Sequence, residues 1–435
     1  MTTSPSREGR SVVLLQGPVG PFFAFLQRAL EARGWRALRL VFNAGDEIYA
    51  GRGRTQRFDA PQAEWVDRLA AIFREEGAEA VLMFGDQRPI HLAAKEAAAR
   101  VGARVMSFEE GYLRPDFVTL EPGGNNACSP LRAWRPGGEV PPPPHHEPLG
   151  GAFAVIAWYA TRYFVALHLG RGRYPHYEHH RRRHPMREAI AWWASLGRKI
   201  WRLPANRAVA RRAVGELAGR HMILALQVFD DLQLRRHGRG WTVGRLIDAT
   251  LASFARAAPA HMHLLVKGHP LDRGHTTARA HALARAAALG LADRVHYLDD
   301  GALGPLSQAS LGMVTINSTS ALVAFAQGKP VFAFGDAFYD GLTANRDDRS
   351  LEALDRFWSG APGMEREIWL AFAGTMARDA LVHGAYYRRD GLAGTCARVV
   401  ERLERLLAPQ VESQFESKVM PDAPASGVER GRAIT

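Results

Sequence analysis

The feature that most constrains the fold of this chain is a repeated alternation of short apolar runs with amphipathic helical stretches. One series occupies residues 11–108, and a second series of the same kind occupies residues 221–335. Strands that alternate with helices form a parallel sheet covered by helices, because each crossover must return the chain to the same end of the sheet. The sequence therefore predicts two α/β halves.

The predicted elements follow the periodicity of the apolar residues. In the first half, strands are expected at 11–16, 35–42, 78–85 and 103–108, with helices at 21–34, 61–77 and 90–102. In the second half, strands are expected at 221–229, 261–269, 295–300, 311–317 and 330–335, with helices at 242–257, 276–290 and 319–328. Beyond both halves, residues 352–407 are expected to be helical.

A proline-rich break separates the two halves. Prolines at 136 and 141–144 cannot continue a helix or a central strand, and a basic, aromatic helical region follows at about 150–215. We therefore predict two Rossmann-like domains that face a cleft, with a helical basic insertion between them. The expected segments are 11–140 for the first domain, 141–220 for the connector and basic helices, 221–345 for the second domain, 346–408 for C-terminal helices and 409–435 for a disordered tail.

The charge and cysteine content narrow the class of protein. A net charge of +12 favours an anionic partner, which composition leaves open as phospholipid head groups, nucleic acid or a phosphorylated substrate; a genomic preference for arginine is the alternative. Cys128 and Cys396 lie far apart, so neither a disulfide framework nor a zinc ribbon is supported, and a reducing compartment is expected. The first residues lack the apolar core of a signal peptide, which predicts a cytoplasmic protein.

Residues 153–169 are the candidate for contact with a lipid bilayer. They are fewer than the ~20 apolar residues of a membrane span and include Arg162 and His168, so an interfacial helix is the remaining membrane interpretation. The arginine-rich and tyrosine-containing residues up to 184 are typical of an anionic-lipid contact surface, and a solvated basic helix is the alternative. Histidines in this run include an i,i+4 pair, but only Glu178 lies nearby as a carboxylate, and no metal site is expected.

Two adjacent acids follow the predicted strand 103–108. Glu109 and Glu110 precede a turn that begins with Gly111. Ligands of open α/β sheets bind at the carboxyl ends of the strands, so this pair lies where chemistry is expected. Successive side chains of a strand point in opposite directions, and one acid can therefore face a substrate while the other holds structure. An acidic surface turn is the alternative.

The second half supplies cationic and hydroxyl groups at corresponding places. Lys267 and His269, with Pro270 after them, end a predicted strand, where a cation and a hydrogen-bond donor would stabilise a departing phosphate. A second phosphate-binding candidate, for which helix capping is the alternative, is a turn between a strand and a helix that offers hydroxyls and free backbone N–H groups. Its residues are Ser318, Thr319 and Ser320.

A third acid follows the predicted strand 221–229. Asp231 would face the cleft between the halves, and capping of a helix is an equally good explanation. The turn at 17–21, in contrast, lacks the lysine of a phosphate-binding loop and the full dinucleotide fingerprint. Neither ATP nor NAD is therefore expected, and no cofactor is predicted.

These motifs together resemble those of the capsular polysaccharide biosynthesis and export family over about residues 11–390. The segments that carry the resemblance are FGDQRPIH at 84–91, EEGYLRP at 109–115, TLEPGG at 119–124, KGHPLDRG at 267–274, NSTS at 317–320 and GKPV at 328–331. Further single residues that carry it are Gln227, Val228, Asp231 and Gln233.

The resemblance implies a GT-B-like glycosyltransferase of a specific kind. It would be a retaining β-Kdo transferase that moves Kdo from CMP-Kdo onto a phosphatidylglycerol-type lipid, and so starts the poly-Kdo linker of a capsule. The implied partners are the anionic inner face of the cytoplasmic membrane and other capsule assembly and export proteins. Nucleic acid is not expected, because the basic residues have no accompanying aromatic platform on strands.

The resemblance also implies roles for the candidate residues. The first domain would bind the acceptor and the second the nucleotide sugar. Glu110 would be the catalytic carboxylate, accompanied by the acids Glu109 and Asp231. The remaining candidates would contact the CMP phosphate or, for the two arginines, the Kdo carboxylate: His269, Lys267, Pro270, Ser318, Thr319, Ser320, Arg114 and Arg88.

Two departures from the family pattern leave alternatives open. Glu110 stands where the family often has Asp, so which acid is nucleophile or base stays open, and Phe229 with Asp230 replaces a more usual His-Asn pair. A transferase of another nucleotide sugar and a non-catalytic export component are the competing functions. An export component would not need Glu110, His269 and the hydroxyl-rich turn together.

Overall fold

The computed structural model describes residues 9–113, 116–137, 153–178, 185–228, 232–269, 277–388 and 391–408. The strands in this part of the chain are β1 (Ser11–Leu14), β2 (Arg36–Val41), β3 (Thr55–Arg57), β4 (Ala80–Phe84), β5 (Arg104–Glu110), β6 (Phe117–Pro122), β7 (His221–Ala225), β8 (His263–Lys267), β9 (Val295–Leu298), β10 (Gly312–Thr315), β11 (Val331–Ala333) and β12 (Leu381–His383). The helices are α1 (Phe22–Ala32), α2 (Ala44–Glu47), α3 (Trp65–Glu76), α4 (Pro89–Val101), α5 (Phe153–Leu169), α6 (Pro185–Val214), α7 (Leu232–His237), α8 (Val243–Ala257), α9 (Ala278–Ala288), α10 (Leu303–Ala309), α11 (Ala321–Ala326), α12 (Leu351–Phe357), α13 (Arg366–Asp379) and α14 (Leu392–Leu407).

These elements form two α/β lobes. In the described residues, the first lobe has a seven-stranded sheet with the order β12-β6-β5-β4-β1-β2-β3, and the second has a five-stranded sheet with the order β11-β10-β7-β8-β9. The strands β1 to β5 run parallel, and so do all neighbours in the second sheet. The predicted α/β class with two Rossmann-like sheets is confirmed.

Helix α1 shows why the sequence folds in this way. Its apolar side chains repeat with helical spacing, and Phe22, Phe23, Leu26 and Leu30 are fully buried against the first sheet. The ring of Phe23 meets that of Phe108 edge-on, with centroids 5.5 Å apart. Such packing holds β5 in place, and β5 ends at the two predicted acids.

Strand β12 and helix α14 return to the first lobe, which the helical pattern of residues 352–407 did not predict. Strand β12 pairs antiparallel with β6, and α14 buries its apolar face in the core that also contains α1. Arg402 of α14 is buried and donates to the backbone carbonyls of Leu120, Arg378 and Asp379. Burial lowers the pKa of this guanidinium, and the three carbonyls satisfy its donors.

The insertion between the lobes forms α5 and α6. Helix α5 contacts the first lobe, whereas α6 contacts the second, where Arg202 forms an ion pair with Asp299 at 3.0 Å. Within the described residues, no helix is both long enough and apolar enough to span a bilayer. Helix α5 nevertheless exposes large apolar side chains, including Trp158 with 60% and Leu169 with 80% of its surface accessible.

Candidate active site

The carboxyl ends of the two sheets face each other. Asp86, directly after β4, accepts a hydrogen bond from Nε2 of Gln233 in the second lobe at 3.3 Å. Tyr112, just after β5, stacks on Phe338 beyond β11, with ring centroids 3.9 Å apart and planes inclined by 14°. The crevice at these edges is where open α/β sheets bind ligands.

The two predicted acids end β5 and are half-buried. Glu109 lies opposite Thr119 and Glu110 opposite Val118 of β6, and as neighbours on a strand they project to opposite faces. A carboxylate oxygen of Glu109 accepts the backbone N–H of Glu110 at 3.0 Å, and its backbone carbonyl accepts the Tyr386 hydroxyl at 2.7 Å. The two carboxylates therefore point to different sides of the strand.

The turn after β4 brings Arg88 beside Glu109. Gly85 has a φ of +73°, and a Cβ built on it would lie 3.8 Å from Nε of Arg88 and 3.9 Å from Oε2 of Glu109. The guanidinium and the carboxylate thus border the same small space. Arg88 also donates to the side-chain oxygen of Gln16 at 2.7 Å, which fixes its direction.

His91 stabilises this turn by a hydrogen bond to its backbone. It is fully buried, and its Nδ1–H donates to the carbonyl of Gly85 at 2.5 Å, which requires a proton on Nδ1. Burial, assisted by the positive charge of Arg88, lowers the pKa of His91 to about 3. His91 is therefore a neutral structural donor in the FGDQRPIH segment.

Asp86 joins the lobes as a fully buried carboxylate. It forms an ion pair with Lys95 at 2.7 Å and accepts from Nε2 of Gln87 at 2.8 Å. Gly124 approaches it so closely that a Cβ would lie 2.6 Å from Oδ2 of Asp86. Two glycine-containing segments that carry the family resemblance, FGDQRPIH and TLEPGG, thus meet at one carboxylate.

A second buried acid supports Tyr112. Glu121 accepts from the Tyr112 hydroxyl at 2.6 Å, from Asn125 at 3.2 Å and from the Ser129 hydroxyl. Burial raises the pKa of Glu121, and these three hydrogen bonds oppose that rise. The anchored Tyr112 ring is the one that stacks on Phe338, so this acid serves the contact between the lobes.

In the second lobe, the ends of β7 and β10 are joined by a reciprocal amide pair. Gln227 donates to the side-chain oxygen of Asn317 at 2.9 Å and accepts its backbone N–H at 3.1 Å. The Ser318 hydroxyl accepts the N–H of Ser320 at 3.2 Å, and the Ser318 carbonyl accepts the Tyr339 hydroxyl at 2.6 Å. Ser318 therefore shapes the turn before α11, next to Thr319.

Lys267 and His269 lie at the end of β8. Lys267 is buried and donates to the carbonyl of Gly268 at 2.8 Å, whereas His269 is half-buried. A Cβ on Gly268 would lie 2.8 Å from the Tyr297 hydroxyl, so a larger residue at this position would displace the tyrosine side chain. Lys267 and His269 thus share the carboxyl edge of the sheet with the Ser318 turn.

Three predicted site residues, Arg114, Asp231 and Pro270, lie outside the described residues, as does the expected tail 409–435. The motifs did not predict a buried polar cluster around Gln16 at the end of β1, where Asp46 and Tyr163 also lie. A polar residue directly after an apolar strand is the signal that would have pointed to Gln16. In the described part of the chain, no group of three or more His, Cys, Asp or Glu residues is arranged to hold a metal ion.

A match to a known family covers most of this site. The profile of the capsule polysaccharide biosynthesis protein family matches residues 79–387, which include β4, β5 and the whole second lobe. The chain therefore belongs to this family. The resemblance predicted from the sequence motifs is confirmed.

Two relatives are similar over nearly their whole length. The capsule polysaccharide export protein KpsS of Escherichia coli is 34% identical over 385 residues, which cover 87% of this chain and 97% of the relative. The capsule polysaccharide modification protein LipB of Neisseria meningitidis serogroup A is 33% identical over 389 residues, or 87% of this chain and 91% of the relative.

Among solved structures, Thermosulfurimonas dismutans KpsC, β-Kdo 2,7 transferase, has a TM-score of 0.42 and 10% identity, with 91% of this chain and 100% of that chain covered.

We expect His91 to make the fold sensitive to acid. Its folded pKa of about 3 lies below its ordinary value of 6.5, so its stabilising contribution is complete above pH 6.5 and is lost progressively as the pH falls toward 3. His91→Asn does not titrate, so the wild type should lose up to about 1.4 kcal/mol more per pH unit than this variant. Chemical denaturation between pH 7 and pH 4 measures the two slopes.

The control for this measurement is His168→Asn, because His168 is exposed on α5. That variant should keep the wild-type slope. Equal slopes for the wild type and His91→Asn would contradict the assignment of His91 as the buried neutral donor.

Proposed function

We propose that this protein is a glycosyltransferase that moves Kdo from CMP-Kdo onto a phosphatidylglycerol-type lipid, and so starts the poly-Kdo linker of a capsular polysaccharide. The observation that carries the proposal is the placement of the candidate residues at the carboxyl ends of the two sheets. Glu109 and Glu110 end a strand on one side, and Lys267, His269 and the Ser318 turn lie at strand ends on the other. Membership in a capsule biosynthesis family supports the same reaction class.

The proposed transfer requires a carboxylate near the anomeric carbon of the sugar. The anomeric carbon of Kdo is tertiary and carries a carboxylate, so its transition state has oxocarbenium character. In a double displacement, the carboxylate of Glu110 bonds to this carbon while the bond to the CMP phosphate breaks. A hydroxyl of the lipid then displaces Glu110 and gives up its proton to a base, which retains the configuration. Glu109 and Asp231 are the further acids proposed for this site.

The donor would be held at both ends. His269 and Lys267, with Pro270 after them, would neutralise the phosphate charge that develops as CMP leaves, helped by the hydroxyls of Thr319 and Ser320. Arg88 is proposed to pair with the Kdo carboxylate, because the turn that carries it follows β4, the strand next to the end of β5 that carries both acids. Arg114 is the alternative for that role.

The names of the relatives favour a second candidate, a capsule export or modification component without transferase activity. A transferase of another nucleotide sugar is the third. Incubation of the protein with CMP-Kdo and phosphatidylglycerol, followed by mass analysis of the lipid, separates them. A lipid product heavier by one Kdo supports the proposal, whereas unchanged lipid removes it.

The first prediction concerns Glu110. Glu110→Gln should abolish transfer while the fold is kept, because an amide can act neither as nucleophile nor as base. Transfer assays and circular dichroism measure the two properties. The matched control is Glu96→Gln, an exposed acid of α4, which should transfer like the wild type. Turnover at the wild-type rate in Glu110→Gln would remove Glu110 from the mechanism.

The second prediction concerns the phosphate end. His269→Ala should weaken CMP binding and slow transfer, since one donor at a departing charge is typically worth ~2–4 kcal/mol. Calorimetry with CMP and the transfer rate measure the loss. His261→Ala, an exposed histidine just before β8, is the control and should change neither quantity. If His269→Ala behaves in the same way as this control, His269 does not bind the phosphate.

A lipid acceptor requires contact with a membrane, and α5 offers a surface for it. Trp158, Arg162, Val165 and Leu169 share one face of the helix, and all four are exposed. Arg171 and Arg173 follow directly and are exposed too. An apolar stripe flanked by arginines suits an anionic lipid surface, and we propose peripheral binding at the inner face of the cytoplasmic membrane through these residues.

The third prediction tests this surface. The double variant Trp158→Gln and Leu169→Gln should sediment less with vesicles that contain phosphatidylglycerol, because two exposed apolar anchors are lost. Leu283→Gln, an exposed leucine of α9, is the matched control. Wild-type binding should also fall as the salt concentration rises, since the Debye length shortens to ~3 Å at 1 M. Equal binding to neutral and anionic vesicles would contradict the proposed surface.

A further inference from the structure

A buried polar cluster lies at the carboxyl ends of β1 and β2. Its members, called the Gln16 cluster below, are Gln16, Asn43, Asp46, Tyr163 and Tyr177. Gln16 and Asn43 follow the two strands, Asp46 belongs to α2, and Tyr163 comes from α5. None of the proposed catalytic or donor-binding roles uses these residues, although the cluster contacts Arg88.

The cluster is built around the carboxylate of Asp46. This side chain is buried and accepts from Nδ2 of Asn43 at 2.9 Å. The Tyr163 hydroxyl donates to Oδ1 of Asp46 at 3.3 Å and accepts from Nδ2 of Asn43 at 2.9 Å. Burial raises the pKa of Asp46, and the positive charges of Arg39 and Arg88 oppose that rise. A buried carboxyl of this kind requires donors around it, and the cluster supplies them.

The donors and acceptors of the cluster fix the direction of the Gln16 amide. Its Nε2 lies 3.2 Å from Oδ2 of Asp46 and 3.1 Å from the hydroxyls of both Tyr163 and Tyr177. Its Oε1 therefore points away from the cluster and accepts Nη1 of Arg88 at 2.7 Å. Half a turn of the amide would place an NH₂ group against the guanidinium, and neither group can accept a hydrogen bond there.

We propose that Tyr163 is a positioning residue for Arg88 and acts through the Gln16 amide, which holds the guanidinium at the end of β4 ready for the acid group of the sugar donor. This inference rests on the proposed function, in which Arg88 pairs with the carboxylate of Kdo. A guanidinium held in place before the donor arrives loses less side-chain freedom on binding, so the ion pair contributes more to affinity.

Helix α5 supplies a matched control one turn away. Tyr163 and Tyr159 both insert into the first lobe, where glycines make room for their rings: a Cβ on Gly45 would lie 2.7 Å from the Tyr163 ring, and one on Gly20 would lie 2.8 Å from the Tyr159 ring. Tyr159 packs on Tyr49 with ring centroids 5.6 Å apart, and its hydroxyl is not part of the Gln16 cluster. Removal of each hydroxyl is therefore the same chemical change with different expected consequences.

The experiment compares Tyr163→Phe with Tyr159→Phe in the full chain. Calorimetry measures the affinity of each for CMP-Kdo and for CMP, without lipid acceptor. Tyr163→Phe should bind CMP-Kdo about fivefold more weakly, the effect of one net hydrogen bond, while its affinity for CMP is unchanged. Tyr159→Phe should match the wild type for both ligands. In an Arg88→Gln background, Tyr163→Phe should cause no further loss, because the residue it positions is gone.

Other outcomes would overturn the inference. They are equal losses in both Phe variants, a loss of CMP affinity as large as that of CMP-Kdo affinity, or a loss that persists in the Arg88→Gln background. If Tyr163→Phe does not fold, Tyr177→Phe removes another acceptor of the Gln16 amide and should give the same selective loss. A wild type that binds CMP-Kdo no better than CMP would instead overturn the proposed donor, and the inference with it.

Discussion

The carboxylate of Asp86 is fully buried where the two lobes meet, so its charge must be neutralised there. This requirement determines how the residues around it are arranged. Asp86 is compensated by Lys95 from its own lobe and by Gln233 from the other. An unpaired buried charge is strongly destabilising, so the lobes are held in an arrangement that keeps both partners within reach. Gly124 lies so close to the Asp86 carboxylate that a side chain at this position would have no room. Asp86 therefore links the turn after β4 to the position of the second lobe.

The parallel order of the strands then determines which residues can meet. Because β4 and β5 are neighbours, the turn that carries Arg88 lies beside the end of the strand that carries Glu109 and Glu110. In the second sheet, β7 lies between β8 and β10, so Lys267 and the Ser318 turn flank Gln227 from both sides. Residues far apart in sequence thus come together at one edge through strand order alone.

The local alternation of strands and helices is what the sequence predicts well, whereas the order of the strands in each sheet comes from the structure. The alternation of apolar runs located both sheets, and it placed Glu110, Lys267 and the Ser318 turn at the carboxyl ends of strands, where the structure has them. The sequence pattern did not locate β12, because a three-residue strand within a helical segment has no periodicity of its own and depends on pairing with β6. The Gln16 cluster was missed for a similar reason: it joins β1 to α5 by side-chain contacts over a long sequence separation.

Helix α5 has two faces, and each of them carries one of the two roles proposed for this helix. Helical periodicity places Tyr159 and Tyr163 on the buried face, and Trp158, Val165 and Leu169 on the exposed face. The buried tyrosines are accommodated by Gly20 and Gly45, so the helix is seated by ring packing that does not involve the exposed residues. Changes on the outer face therefore leave the hydroxyl of Tyr163 in its cluster. The proposed contact with a lipid surface and the proposed positioning of Arg88 therefore use different faces of the same helix.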